Sequence, residues 1–377
     1  MSEGELELYR DTVRRFIKAE VMPHQAAWRK QRHVDRAVWR KAGALGLLLA
    51  DLPEEYGGGG TLAHMAALWE ELITAGDIGF HAGTQVQATA AHYILNSGNV
   101  EQRRHYLPQL AAGDMVAAIA VTEPDAGSDI QGIRTTAVRD GDHYLVNGAK
   151  TFITNGSTAD LLIVAAKTGQ AAANKNISLF LVDRRKAEGI RTGRALDMIG
   201  RHAQDVCEIS FEGTRVPAEA LLGGAEGHGF RQLMAGLPYE RILIGISAVA
   251  SMERAVALAV DHTRDRKAFG KPLFEIQSTR IKLAEAKTHA TVGRVFIDWC
   301  IANAAVGAMN NETASMAKWY LTDLQCKVID ECLQLFGGYG YMMEYPIARL
   351  YTDARVARIY AGTSEVMKVI IAKSLGL

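Results

Sequence analysis

Glu240 stands in Leu237-Pro238-Tyr239-Glu240-Arg241 on a long apolar stretch, where a carboxylate could accept a proton. Paired with the neighbouring arginine on a helix surface, the same residue would be a plain solvated ion pair. A second candidate is the run Val121-Thr122-Glu123-Pro124-Asp125-Ala126-Gly127-Ser128-Asp129. Pro124 and Gly127 force a compact loop there, and such a loop offers backbone N–H groups and small hydroxyls to an electron-rich heterocycle. A tight turn closed by Asx and Ser hydrogen bonds explains the same composition. Lys150-Thr151-Phe152-Ile153-Thr154-Asn155-Gly156 puts a ring and a hydroxyl two residues apart, hence on one face of a strand, a pattern that a half-buried structural strand also shows. Arg266 reads as an end-of-helix cation favoured by the macrodipole, and Gly337-Gly338 as a helix C-cap.

The elements that must carry these groups run helix, strand, helix. Leu6, Tyr9, Val13, Phe16 and Ile17 recur at helical spacing. Pro53 and Gly57 to Gly60 break the pattern, and helices are expected over Leu62–Leu95 and Val100–Leu110. Near residue 116 the pattern changes: Thr135–Val138 and Tyr144–Val146 flank an Asp140-Gly141 turn, a hairpin signal. Strand-length apolar runs follow at Leu161–Ala165, Ile177–Val182 and Val206–Phe211, which predicts a small antiparallel β domain. Ala171–Asn174 is expected to be a loop. Long amphipathic helices return at Phe230–Arg266, Ser278–Met309, Thr313–Leu335 and from Ser364, a pattern of a helical bundle. The expected class is α+β, with an all-α domain at 1–115, a β domain at 116–225 and a helical bundle at 226–377.

Composition narrows the function. The chain is 48% hydrophobic and 22% charged, ordinary for a large globular core. Forty-two basic residues balance 42 acidic ones, so no charged field points to nucleic acid. Cys207, Cys300, Cys326 and Cys332 form no CxxC pair and no Cys/His cluster, and His81, His92 and His105 lack metal-ligand spacing; no metal is expected. The sparse cysteines read as reduced and cytosolic, so a cytoplasmic protein is expected; the acidic start Met1-Ser2-Glu3-Gly4-Glu5 does not look like a signal peptide, and no run approaches about 18 uninterrupted apolar residues, so no membrane span is expected.

Taken in order, TEPDAGSD (122–129), KTFITNG (150–156), RKAFG (266–270) with Gln277, QLFGGYG (334–340) and IYAGTSE (359–365) closely resemble the acyl-CoA dehydrogenase family, most of all its long-chain and isovaleryl branch. The resemblance covers nearly the whole chain. It implies an N-terminal helical domain, a central β domain and a C-terminal four-helix bundle, usually in a homotetramer, sometimes a dimer. It also implies FAD between the β domain and the C-terminal helices. By motif match, Ile119 to Ser128 would line the isoalloxazine, with Thr122 and Gly127 in that loop, Phe152 covering the ring and Thr154 near N5. Arg266, Phe269 and Gln277 would reach FAD of a neighbouring subunit. Gln334, Gly337 and Gly338 would pack its adenosine part, and Thr363 and Glu365 would close the same region. Ser128, Arg241, Ala361 and Gly362 would lie at the acyl thioester, with Arg241 also bracing the helix, which Pro238 would kink. Much of the family carries its catalytic glutamate where this chain has Ala361; the long-chain type carries it on the first long C-terminal helix, which implies Glu240 as base. The reaction implied is α,β-dehydrogenation of an acyl-CoA to the trans-2-enoyl-CoA, with hydride passing to flavin N5 and electrons to an electron-transfer flavoprotein. An oxidase, an acyl-carrier-protein-linked dehydrogenase of a biosynthetic pathway, or a non-catalytic flavin- or acyl-CoA-binding subunit remain alternatives on the same scaffold.

Overall fold

A computed structural model describes residues 3–169 and 175–376. Met1, Ser2 and the expected loop at 171–174 lie outside the described residues. By compactness the chain divides in two. One unit comprises Met1–Met65, Gly79–Met198 and His202–Leu237; the other comprises Ala66–Ile78, Ile199–Arg201 and Pro238–Leu377.

The N-terminal helices are α1 (Glu3–Phe16), α2 (Gln25–Gln31), α3 (Arg36–Ala44), α4 (Leu62–Ala75), α5 (Gly79–Ser97) and α6 (Val100–Ala111). The single helix expected over 62–95 is broken between α4 and α5. Gly76 turns there with φ +89°, and a Cβ on it would meet the Arg254 guanidinium at 2.8 Å. Asn99 starts α6 with a capping box: its side chain accepts from Gln102 N at 2.8 Å and Gln102 Oε1 accepts from Asn99 N at 3.1 Å.

The β domain holds β1 (Ala117–Ala120), β2 (Thr136–Asp140), β3 (His143–Thr154), β4 (Leu161–Lys167), β5 (Ile177–Asp183), β6 (Ile190–Ala195) and β7 (Val206–Pro217). The expected hairpin is β2–β3, turning at Gly141 with φ +62°. The sheet is mixed rather than wholly antiparallel, because β1 runs parallel to β4 while β3–β7, β4–β5 and β6–β7 are antiparallel. A parallel pair needs a crossover connection, and the β2–β3 hairpin is part of it. One face closes over Val146, Ile153, Leu162, Val164, Phe180, Ile209 and Phe211. Tyr144 meets Phe180 edge-on at 4.9 Å, and each such buried side chain contributes about 1.5–3 kcal/mol.

The C-terminal helices are α7 (Gly229–Asp265), α8 (Gln277–Ala305), α9 (Asn311–Gln334), α10 (Pro346–Ala354) and α11 (Ser364–Ser374), with the small ribbon β8 (Lys267–Ala268) and β9 (Lys271–Pro272) after α7. Helix α9 packs against α8, α10 and α11. Small residues bring the axes together: a Cβ on Gly245 of α7 would meet Ile297 of α8 at 2.9 Å and Leu321 of α9 at 3.3 Å. The helix runs unbroken through Pro238. Contrary to the expectation from apolar run length, α7 is long and apolar enough by composition to cross a membrane; most of that stretch is buried in the protein, as in the core helix of a bundle.

Candidate active site

Phe152 shows how the β domain builds a binding surface. The register of β3 against β7 slips between Lys150 and Ile153, so the strict alternation of faces fails there. Phe152 takes up the slack in the left-handed region at φ +59°, where a bulky residue is strained, and its ring is 67% exposed. The expected shared face of Phe152 and Thr154 is therefore replaced by a bulge that displays one flat ring. Thr154 is partly buried, and its Oγ1 accepts from Gln204 Nε2 at 2.8 Å. The other Gln204 atom, Oε1, is buried without a hydrogen-bond partner.

The loop after β1 is pinned to that bulge from below. Lys150 is fully buried, and its Nζ donates to Glu123 Oε1 at 2.7 Å and to Val121 O at 3.0 Å. Glu123 also accepts from Arg134 N at 2.5 Å and from Thr135 N and Oγ1 at 3.0 and 2.5 Å. Burial pushes the Glu123 pKa up, but the bonds from Lys150, Thr135 and Arg134 outweigh it and hold the carboxyl below its ordinary value. Burial pulls the Lys150 ammonium down to about 8 against the pull of Glu123, so the pair is ionic at neutral pH. Thr151 N donates to Thr122 O at 2.9 Å. With its ends fixed, the loop leaves Gly127 and Ser128 exposed, and Ile119 and Thr122 partly so. Sequence reasoning quoted Glu123 and Lys150 within their motifs but missed that they pair; it missed Gln204 altogether.

Glu240 lies one turn into the second unit on α7, partly buried. Burial raises its carboxyl pKa, opposed by the charges of Arg241 and Lys318. Arg241 is buried, and Nη1 donates to Asn311 Oδ1 and, at 3.1 Å, to Ser315 Oγ, both on α9. That geometry is the bracing half of what was expected of Arg241. Lys318 of α9, unmentioned by the motifs, donates from Nζ to Gly362 O at 2.6 Å. Ala361 and Gly362 bend consecutively through left-handed conformations, φ +53° and +92°, before Thr363 caps α11 by accepting from Val366 N. Glu365 is exposed in the first turn of α11, and its pKa is lowered by its own backbone N–H and by Thr363.

Arg266 and the glycine segment come together within the second unit. The Arg266 guanidinium lies 5.7 Å over the Tyr339 ring, and His262 stacks on Phe336 at 4.0 Å. Gln334, Gly337 and Gly338 are exposed beside them. Phe269, at the tip of the β8–β9 ribbon with φ +51°, is 94% exposed, and Gln277 at the start of α8 is exposed too.

Known proteins match along the whole length. Models of the acyl-CoA dehydrogenase N-terminal, middle and C-terminal domains match residues 3–114, 118–214 and 227–376. The long-chain specific acyl-CoA dehydrogenase of Sus scrofa mitochondria is 45% identical over 376 residues, 99% of this chain and 86% of that protein. The chain belongs to the acyl-CoA dehydrogenase family. It is an oxidoreductase that dehydrogenates acyl-CoA. The crystal structure of an acyl-CoA dehydrogenase from Geobacillus kaustophilus superimposes with a TM-score of 0.95 at 42% identity, covering 100% of this chain and 99% of that one. A glutaryl-CoA dehydrogenase from Mycobacterium smegmatis, solved in complex with FADH2, superimposes with a TM-score of 0.91 at 29% identity, covering 100% and 95%.

Proposed function

We propose that this acyl-CoA dehydrogenase uses Glu240 as the base that removes the α-proton of an acyl-CoA, yielding the trans-2-enoyl-CoA. FAD is its cofactor. The observation that carries the reading is the raised carboxyl of Glu240 in a chain whose late motif has Ala361, a residue that cannot take a proton. A base works best with a pKa near the working pH, and desolvation moves a carboxylate that way.

The residues present suit a flavin. The exposed Phe152 ring is a flat apolar surface. Beside Thr154, the orphaned acceptor Gln204 Oε1 suits a donor of the heterocycle. The open 127–128 backbone suits a charged dinucleotide. When bound, FAD supplies the two-electron acceptor for the β-hydrogen. The protein's own tasks are to hold the thioester carbonyl, to which the Ala361 amide is assigned by motif, and to take the proton at Glu240.

An electron-transfer flavoprotein is the acceptor that the family resemblance favours. The exposed Phe269 ribbon supports assembly into a dimer or tetramer in which Arg266, Phe269 and Gln277 meet a neighbour's cofactor. Anaerobic titration with straight and branched acyl-CoAs, followed by flavin absorbance, tests the reading. The parent should bleach with at least one of them. E240Q should keep its yellow cofactor and fail to bleach; bleaching at the parent's rate overturns the assignment.

A further inference from the structure

We propose that Lys318 is a positioning residue for this reaction: it holds the Ala361–Gly362 bend in the shape that presents the Ala361 amide, next to the base. The inference rests on Glu240 and the Ala361 amide having the roles given above.

Lys318 sits on the buried face of α9, between Ala314, Ala317, Leu321 and Thr322, and its residue is fully enclosed. A lysine in such a place is costly unless its ammonium is hydrogen-bonded, and removing it would leave the acceptor it serves unpaired. Its hydrogen bond goes to a neutral group, the Gly362 carbonyl, at 2.6 Å. That carbonyl belongs to a bend under strain. Ala361 has a side chain yet a φ of +53°, a conformation that costs about 1–2 kcal/mol for an L-residue. Gly362 follows at φ +92°, and a Cβ there would come within 2.6 Å of Met367 Cε. Strained backbone persists only where its surroundings fix it. The N-cap of α11 fixes one end, through Thr363, and the Lys318 ammonium fixes the carbonyl before it. The Arg241 guanidinium closes the same corner, its Nη2 3.8 Å from where a Gly362 Cβ would lie.

The charge has a second use. Lys318 faces Arg241 and Glu240 from α7, Asp323 from its own helix and Glu365 from α11. Burial is the main reason its pKa falls to about 8; Arg241 lowers it further and the three acids oppose. Below that pH the ammonium both grips the carbonyl and favours the ionised form of Glu240. Above it the grip weakens and the favourable charge goes.

The test is kcat/KM of the FAD-loaded enzyme from about pH 6 to about pH 10 for the parent, K318R, K318M and E240Q. The parent should lose activity on the alkaline side near the Lys318 pKa, and K318R, which stays charged, should carry that limb to higher pH. K318M should lose about 100-fold in kcat with KM little changed, the size expected when a reacting group is slightly misplaced, and its acidic limb should move up. FAD content and Tm separate this from unfolding. K318M with the parent's kcat and limbs overturns the proposal. If K318M does not fold, an identical alkaline limb in parent and K318R overturns it. Undiminished activity in E240Q instead sinks the assignment of the base, which the Lys318 limbs alone would not do.

Discussion

Glu123 and Glu240 are both drawn out of water near a lysine, yet their carboxyls move in opposite directions. Glu123 takes hydrogen bonds from Lys150, from two backbone N–H groups and from the Thr135 hydroxyl, and it is held ionised. Near Glu240, Arg241 spends donors on Asn311 and Ser315, and Lys318 spends its ammonium on Gly362 O; only their charge acts on the carboxyl, and burial prevails. At these two carboxyls the sign follows the direct hydrogen bonds to the carboxylate, which Glu123 has, rather than the presence of a nearby cation, which both have. The first arrangement makes a fixed floor for a loop; the second leaves a carboxyl able to change its charge.

Several substitutions probe that contrast. The largest effect is on turnover: E240Q should lower kcat/KM by about 100- to 10 000-fold, the usual share of general-base catalysis, whereas E123Q should act chiefly on folding. Breaking the buried pair from one side, as in K150M, should cost about 3–5 kcal/mol in urea denaturation, because Glu123 is left charged and alone. An E123L/K150M pair should recover much of that; no recovery would mean the loss lies in loop geometry rather than in charge.

The pH dependence of stability should separate the two sites further. The pKa of Glu123 is depressed, so its stabilisation is full above the unfolded value of 4.5 and is lost as pH falls through its folded value. For Glu240 the folded pKa is raised, so its ionisation costs stability above that value and nothing below 4.5. E240Q should therefore melt higher than the parent at neutral pH, and the gap should close on acidification; a constant gap would remove the case for desolvation. The smallest effect is local. F152G should relieve left-handed strain, worth about 1 kcal/mol before the lost ring contacts are counted, and should weaken FAD retention.

How much of this could be read from the sequence depended on regularity. The long helices α7, α8, α9 and α11 announce themselves by sustained period, and their observed ends fall close to the expected ones. The short elements α2, α3, α10, β1 and β6 escape that pattern: nine residues or fewer give too few periods, and β6 has an almost wholly exposed face pattern broken by Gly193. The bulge at Phe152 is invisible to an alternation rule, because one left-handed residue shifts the register without changing composition. Gln204 follows no pattern. Lys318 did leave a mark, since it interrupts the apolar face Ala314, Ala317, Leu321 of an amphipathic helix, where a lysine calls for a partner.

The parallel pairing of β1 with β4 has a consequence for how the chain is made. On the ribosome β1 emerges well before the strand that will cover it, and the β2–β3 hairpin, whose contacts are local, can close in the meantime. Until β4 arrives, neither edge of the apolar ribbon Ala117–Ala120 is paired, a stage at which a nascent chain is open to pairing with another copy.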